Sequence, residues 1–349
     1  MDRADNPLKI AVLSAGAWGL ALSCLLARRG CRVSLWARNP RYAETLDLTR
    51  IDPGRLPGVA LPEAVEVTAE PDRALAGAAG VILAPASHAM RDLCRQVAPL
   101  IALRPGIRIL SATKGLELSD GLRMSRVIEQ ELGTSAPVAV LSGPNFAIEV
   151  ARGMPTTTVV ASSRREVALS WQSLLSDRLF RAYISPDLVG VELGGALKNV
   201  IAIAVGMAEG LGLGLNAQAA LITRGLAEIS RLGAALGANP LTFAGLSGVG
   251  DLVLTCTGRY SRNRQAGIEL GRGMPLGDVL AGLRMVVEGV STTPAACRLA
   301  RQVGVDLPIT AELALVFGEG KHPAAVAESL MSRDPTCELE EAASTRSGW

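Results

Sequence analysis

The chain has 349 residues, 49% of them apolar and 19% charged, which is enough for two packed cores and too hydrophobic for a disordered protein. Lysine plus arginine number 35 against 33 acids, with no long basic run, so neither nucleic acid nor an anionic membrane is an expected partner. The six cysteines (Cys24, Cys31, Cys94, Cys256, Cys297, Cys337) form no C-x-x-C and have no histidine at ligand spacing, which predicts a reducing cytoplasm and no metal site.

The polar amino terminus, Met1 to Pro7, predicts no signal peptide and runs directly into a strand at Leu8 to Leu13. A helix from Ala17 to Arg29 stops at Gly30, and a strand from Arg32 to Trp36 completes a βαβ unit. Further strands are predicted at Ala64 to Thr68, Gly80 to Pro85, Arg108 to Ala112, Val138 to Ser142 and Thr157 to Ala161. Helical patterns separate most of them, at Arg41 to Thr49, His88 to Ala102, Leu122 to Leu132 and Arg165 to Leu175. Such alternation implies an α/β fold, with a Rossmann-like, mostly parallel sheet over residues 1–187.

Beyond Ser185-Pro186-Asp187 only helical patterns remain, so residues 188–333 are predicted to be an all-helical domain. These patterns lie at Leu188 to Glu209, Asn216 to Leu236, Pro240 to Ala244, Ser261 to Leu270, Pro275 to Leu283, Pro294 to Val303, Pro308 to Val316 and Pro323 to Met331. Proline at or beside several helix starts supports the boundaries. Residues 334–349 read as a flexible tail. The longest apolar run, Val200 to Ala208, is about half of what a bilayer span requires, so no membrane crossing is expected.

The first strand runs into Ser14-Ala15-Gly16-Ala17-Trp18-Gly19, a G-x-G-x-x-G motif with serine in place of its first glycine. Gly16 keeps the close backbone approach to a pyrophosphate and Gly19 the close helix-to-strand packing, so the turn reads as a dinucleotide cradle. The second strand ends at Trp36-Ala37-Arg38-Asn39, with no acid for a ribose before Glu44. Arg38 can pair with a 2'-phosphate, which favours NADPH and leaves NADH open.

Two more segments fall at carboxyl ends of strands, where open parallel sheets bind ligands: Thr113-Lys114-Gly115 and Ser142-Gly143-Pro144-Asn145. In the helical half, Lys198 interrupts an otherwise oily helix and needs an acid or a lowered pKa; Glu192 and Glu209 are the nearby candidates. The glycine-rich run Gly245 to Gly250 reads as a bend delivering Asp251 to the centre, although Asp251 would also serve as a helix cap. Ser261-Arg262-Asn263 combines a hydroxyl, a guanidinium and an amide, which suits a phosphate. With only His88 and His322 in the chain, a histidine base has almost nowhere to sit.

Taken together, ATKGLE (112–117), SGPNFA (142–147), LGGALKNVIAIAVGMAEGLGLG (193–214), ALITRGLAEISRLG (220–233) and GLSGVGDLVLTCTGRYSRNR (245–264) resemble the bacterial NAD(P)-dependent glycerol-3-phosphate dehydrogenases. The resemblance implies hydride transfer between NAD(P)H and dihydroxyacetone phosphate, giving sn-glycerol 3-phosphate for glycerophospholipid synthesis. It makes Lys198 the proton donor and acceptor, with Lys114, Asn199, Asp251 and Thr255 around the reacting carbon. Ser261, Arg262 and Asn263 would hold the phosphate, and Gly143 and Asn145 would line the same cleft. Ala147, Val286 and Glu288 would touch the cofactor together with Ser14, Gly16, Ala17, Trp18, Gly19, Arg38 and Lys114, and Arg262 would reach both ligands. The competing readings are a related two-domain hydroxy-acid dehydrogenase and an NADPH-sensing protein without turnover. Glycines at 206, 210, 212 and 214 would allow a homodimer.

Overall fold

The computed structural model describes residues 7–133, 138–283, 286–335 and 338. Cys337 and most of the expected tail lie outside the described residues. The chain opens with β1 (Lys9–Leu13), α1 (Ala17–Arg28), β2 (Arg32–Trp36), α2 (Pro40–Thr49) and β3 (Val65–Thr68). It continues through α3 (Pro71–Leu75), β4 (Gly80–Leu83), α4 (Met90–Ala102), β5 (Arg108–Ser111) and α5 (Met124–Leu132). The sheet is completed by β6 (Val138–Ser142), α6 (Ala147–Ala151), β7 (Thr156–Ala161), α7 (Arg165–Leu175) and β8 (Phe180–Ser185).

The eight strands lie in the order β3-β2-β1-β4-β5-β6-β7-β8. All neighbours are parallel except β6 and β7, which pair antiparallel. Alternation along the strands divides the core: Ile10, Val12, Leu35, Ile82 and Leu110 face one side, while Ala11, Leu13, Val81, Leu83 and Ile109 face the other. The chain order reverses between β1 and β4, which opens a crevice at the carboxyl edge of the sheet. β8 was not expected: Arg181 and Tyr183 are exposed on it, so it lacks the apolar run that marks a buried strand.

The helical part consists of α8 (Leu188–Gly210), α9 (Gly214–Ala235), α10 (Asp251–Thr257), α11 (Arg262–Gly271), α12 (Leu276–Leu283), α13 (Glu288–Val303), α14 (Pro308–Glu319) and α15 (Pro323–Met331). Every residue of α8 from Gly190 to Ala208 is buried, as an apolar-all-round helix requires. Among the described residues α8 alone has the length and hydropathy of a membrane span, and it lies inside the protein. Asp187 caps its start by accepting from the Gly190 amide at 2.8 Å. Glu192 ties α8 to the sheet part, accepting from the Ser125 amide at 2.8 Å, from the Ser125 hydroxyl at 2.6 Å and from Arg123.

The expected helix start at Pro294 is corrected to Glu288: the proline sits inside α13. The glycines that suggested a dimer are also used differently. A side chain on Gly206 or Gly210 would overlap the carbonyl of Arg264 or Ile268 in α11, so both serve a close helix crossing within the chain. Gly212 and Gly214 have φ of +74° and +80° and form the turn into α9.

Candidate active site

The centre of the site is a carboxylate between two lysines. A five-residue π-helical segment, Leu246–Gly250, leads into α10, and it packs close to α8 because Gly194 there has no side chain; one would overlap the Ser247 carbonyl. Asp251 is therefore the first residue of α10, with Gly250 in the cap position, and its side chain turns inward instead of capping. It is 1% exposed, and its Oδ1 accepts from Lys198 Nζ at 2.6 Å while Oδ2 accepts from Lys114 Nζ at 2.7 Å. The two acids near Lys198 in sequence do not pair with it, since Glu192 is bound to Arg123 and Glu209 to Arg264.

Counting donors distinguishes the two lysines. Lys114 Nζ gives its three hydrogens to Asp251, to the Gly143 carbonyl at 2.9 Å and to Asn145 Oδ1 at 3.0 Å. Among the described residues, Lys198 Nζ gives two, to Asp251 and to Thr255 Oγ1 at 2.6 Å, and keeps one. Thr255 is oriented by donating its own proton to the Asp251 carbonyl at 2.6 Å. Asn145 is held by Thr158 at 3.1 Å, and Gly143 can lie against Thr158 only at its φ of +143° and without a Cβ. Burial lowers the Lys114 ammonium to about 8, Asp251 opposes this, and the Lys198 charge adds to it.

A second string of bonds borders the first. Asn263 donates to Asn199 Oδ1 at 3.0 Å and accepts from the Gly289 amide at 2.9 Å. Next to Gly289, Glu288 accepts from the Ser87 hydroxyl at 2.6 Å and the Ser87 amide at 3.3 Å, bridging the crevice. Ser261 caps α11 by accepting from the Arg264 amide at 3.2 Å. Arg262 differs from these neighbours. Its guanidinium is largely buried, which pulls it below the usual arginine range against the opposing pull of Glu288, and it makes no hydrogen bond or ion pair among the described residues. Like the Ser261 hydroxyl, its guanidinium donates to no group among the described residues, and it offers the larger set of donors.

The nucleotide cradle follows β1. Ser14 donates its amide to the Trp36 carbonyl at 3.1 Å and holds φ at +103°, a region that side chains rarely adopt and that costs about 1–3 kcal/mol. A side chain on Gly19 would overlap the Ser14 carbonyl, so strand and helix touch there, while the nearest atom to the place of a Cβ on Gly16 is the Ser14 Oγ at 3.9 Å. The buried Trp18 Nε1 has no partner. An open backbone face at the start of α1, beside an unpaired donor, fits a dinucleotide pyrophosphate. Arg38 lies exposed just past β2, Ala147 opens α6, and Val286 is exposed ahead of α13.

Lys114 thus joins Gly143 and Asn145 to Asp251, which Lys198 and Thr255 contact in turn, and Asn199, Asn263 and Glu288 form the adjoining string. The sequence reading missed Ser87. It follows β4 at the same carboxyl edge that singled out Lys114, so the strand-end rule could have found it.

Family models match both halves of the chain. The N-terminal model of NAD-dependent glycerol-3-phosphate dehydrogenase matches residues 9–168 and the C-terminal model residues 187–328. The chain is 52% identical to a glycerol-3-phosphate dehydrogenase [NAD(P)+] of Moorella thermoacetica over 331 residues, covering 95% of this chain and 98% of that protein. It is 49% identical to one of Pelotomaculum thermopropionicum, with 96% of each covered. A crystal structure of the glycerol-3-phosphate dehydrogenase of Coxiella burnetii superposes with a TM-score of 0.90 at 35% identity, covering 94% of this chain and 99% of the other. A ketopantoate reductase from Ralstonia eutropha, at 14% identity and a TM-score of 0.59, shares the fold alone. With both of its halves matched and half its residues shared with bacterial relatives, the chain belongs to the NAD-dependent glycerol-3-phosphate dehydrogenase family.

Proposed function

We propose that the chain catalyses reversible hydride transfer between NAD(P)H and dihydroxyacetone phosphate, giving sn-glycerol 3-phosphate. The observation that carries this reading is a pair of unused donors among the described residues, one N–H of Lys198 for a carbonyl oxygen and the largely buried Arg262 guanidinium for a phosphate. The bound nicotinamide supplies the hydride. Lys198 then places positive charge and a proton at the oxygen that becomes the alkoxide, and in the reverse direction takes the proton back. Asp251 and Thr255 fix the Lys198 ammonium, and Lys114 fixes the other face of Asp251. Arg262 grips the phosphate, so that binding energy away from the reacting carbon aligns the carbonyl. The Asn263 amide keeps one N–H beyond its bond to Asn199, and the Ser261 hydroxyl keeps its proton, so both can add to that grip.

Arg38, with no acid beside it at the end of β2, supports NADPH over NADH. The reaction belongs in the cytoplasm, ahead of glycerophospholipid synthesis. The test is NADPH oxidation with dihydroxyacetone phosphate against free dihydroxyacetone, in wild type and Arg262→Ala. The proposal expects strong preference for the phosphorylated substrate, reduced roughly a hundredfold in the variant. Equal discrimination in both proteins would remove Arg262 from the phosphate site, and turnover of a non-phosphorylated hydroxy acid alone would overturn the substrate.

A further inference from the structure

Ser14 is the place where this chain departs from the glycine motif of its own cradle, and its geometry gives the departure a chemical meaning. At φ +103° a glycine would sit without cost, and the residue cannot relax into an ordinary conformation. Its amide is held by the Trp36 carbonyl, and its own carbonyl is wedged against Gly19. The other described non-glycine residue with positive φ, Arg50 at +61°, lies in the common left-handed well at the end of α2, where such residues are tolerated. Ser14 lies well outside that well.

What the serine adds is a hydroxyl. Its Oγ lies 3.9 Å from the position a Cβ on Gly16 would take, at the residue that caps the start of α1. No hydrogen bond to the protein engages this oxygen among the described residues, although Ser14 is half-buried and its backbone is tightly tied. A hydroxyl placed there has its proton free for a phosphate oxygen, and a bond to an ionised acceptor is of the stronger kind.

We propose that the Ser14 hydroxyl donates a hydrogen bond to the pyrophosphate of the bound NAD(P)H, and that the strained backbone beneath it is the structural cost of that bond. This rests on the reading of the cradle as the cofactor site. It assigns a side-chain role at a position where the motif normally works through bare backbone.

Three proteins separate the two halves of the proposal: wild type, Ser14→Gly and Ser14→Ala, each freed of cofactor. Thermal unfolding reads the strain, and NADPH titration by fluorescence reads the hydroxyl. Glycine relieves the strain and removes the hydroxyl, so Ser14→Gly is expected to melt higher than wild type and to bind NADPH roughly ten- to a hundredfold more weakly. Alanine keeps the strain and removes only the hydroxyl. Ser14→Ala is expected to lose affinity by a similar factor with no rise in melting temperature. Either variant binding NADPH as tightly as wild type would overturn the hydrogen bond. A Ser14→Gly protein that melts no higher than wild type would overturn the strain. Failure of the wild type itself to bind NADPH or NADH would instead overturn the cofactor site on which the proposal rests.

Discussion

Replacing Asp251 with asparagine tests the buried ion triad. The substitution keeps the shape and removes one charge from between two ammonium groups, 2.6 and 2.7 Å away, in a residue 1% exposed. At an effective dielectric of about 20, each contact is worth roughly 5 kcal/mol of gross attraction. Most of that offsets desolvation, and breaking such a pair by removing one partner costs about 3–5 kcal/mol. Against a typical total of about 5–15 kcal/mol this is a large fraction. The urea midpoint of Asp251→Asn should therefore fall by about 1 M or more. With the carboxylate neutralised, Lys198 loses the charge that fixes its ammonium, so kcat should fall by roughly a hundredfold or more. Urea unfolding followed by circular dichroism, and steady-state rates at saturating substrate, measure the two effects. A midpoint within about 0.2 M of wild type, with kcat within about threefold, would refute the triad as the element that holds and charges Lys198.

The pH dependence follows from the same triad. Because Lys114 is lowered to about 8, Asp251 loses one of its two cationic partners above that pH, and the reduction rate should fall along an alkaline limb near pH 8. Lys114→Met removes the titrating group and should abolish the limb near pH 8; a limb that stays in place would assign it to another group. A separate test lies in the helical part, where Glu228 accepts from the Ile309 amide at 2.5 Å, the Thr310 amide at 3.2 Å and the Thr310 hydroxyl at 2.9 Å at the start of α14. Burial raises this carboxyl to about 7 against those bonds. The folded state then binds its proton more tightly than the unfolded chain, so stability should decline as pH rises from about 4.5 to about 7, by up to roughly 3 kcal/mol. Glu228→Gln should flatten that slope in denaturant titrations across the range, and an unchanged slope would contradict the assignment.

The sheet could be read from the sequence because its central strands are buried on both faces and appear as continuous apolar runs between helical repeats. Where burial is one-sided the signal faded, as at β8 with its exposed Arg181 and Tyr183. The five-residue helices α3 and α6 are too short to show a period. Pro294 misled for a physical reason: proline favours the first turn of a helix, yet here it lies inside α13. At the site, lone Lys198 in an oily helix announced itself by its cost and the glycine-rich bend pointed to Asp251, but the ion pairs themselves did not show, because Lys198 and Asp251 stand 53 residues apart and Lys114 and Asp251 stand 137 apart. The donor count that separates the two lysines, and the bridge from Ser87 to Glu288, exist only once the chain is folded. Ser14 was visible as a missing glycine, and the fold supplied its strained φ.

The central claim is that Lys198 delivers the proton that accompanies the hydride. The most direct measurement is a single-turnover comparison of wild type and Lys198→Met, mixing enzyme and NADPH with excess dihydroxyacetone phosphate and following loss of the reduced nicotinamide. The account predicts that Lys198→Met binds NADPH within about threefold of wild type while its hydride-transfer rate drops by roughly a hundredfold to ten-thousandfold. A variant that transfers hydride at the wild-type rate would contradict it.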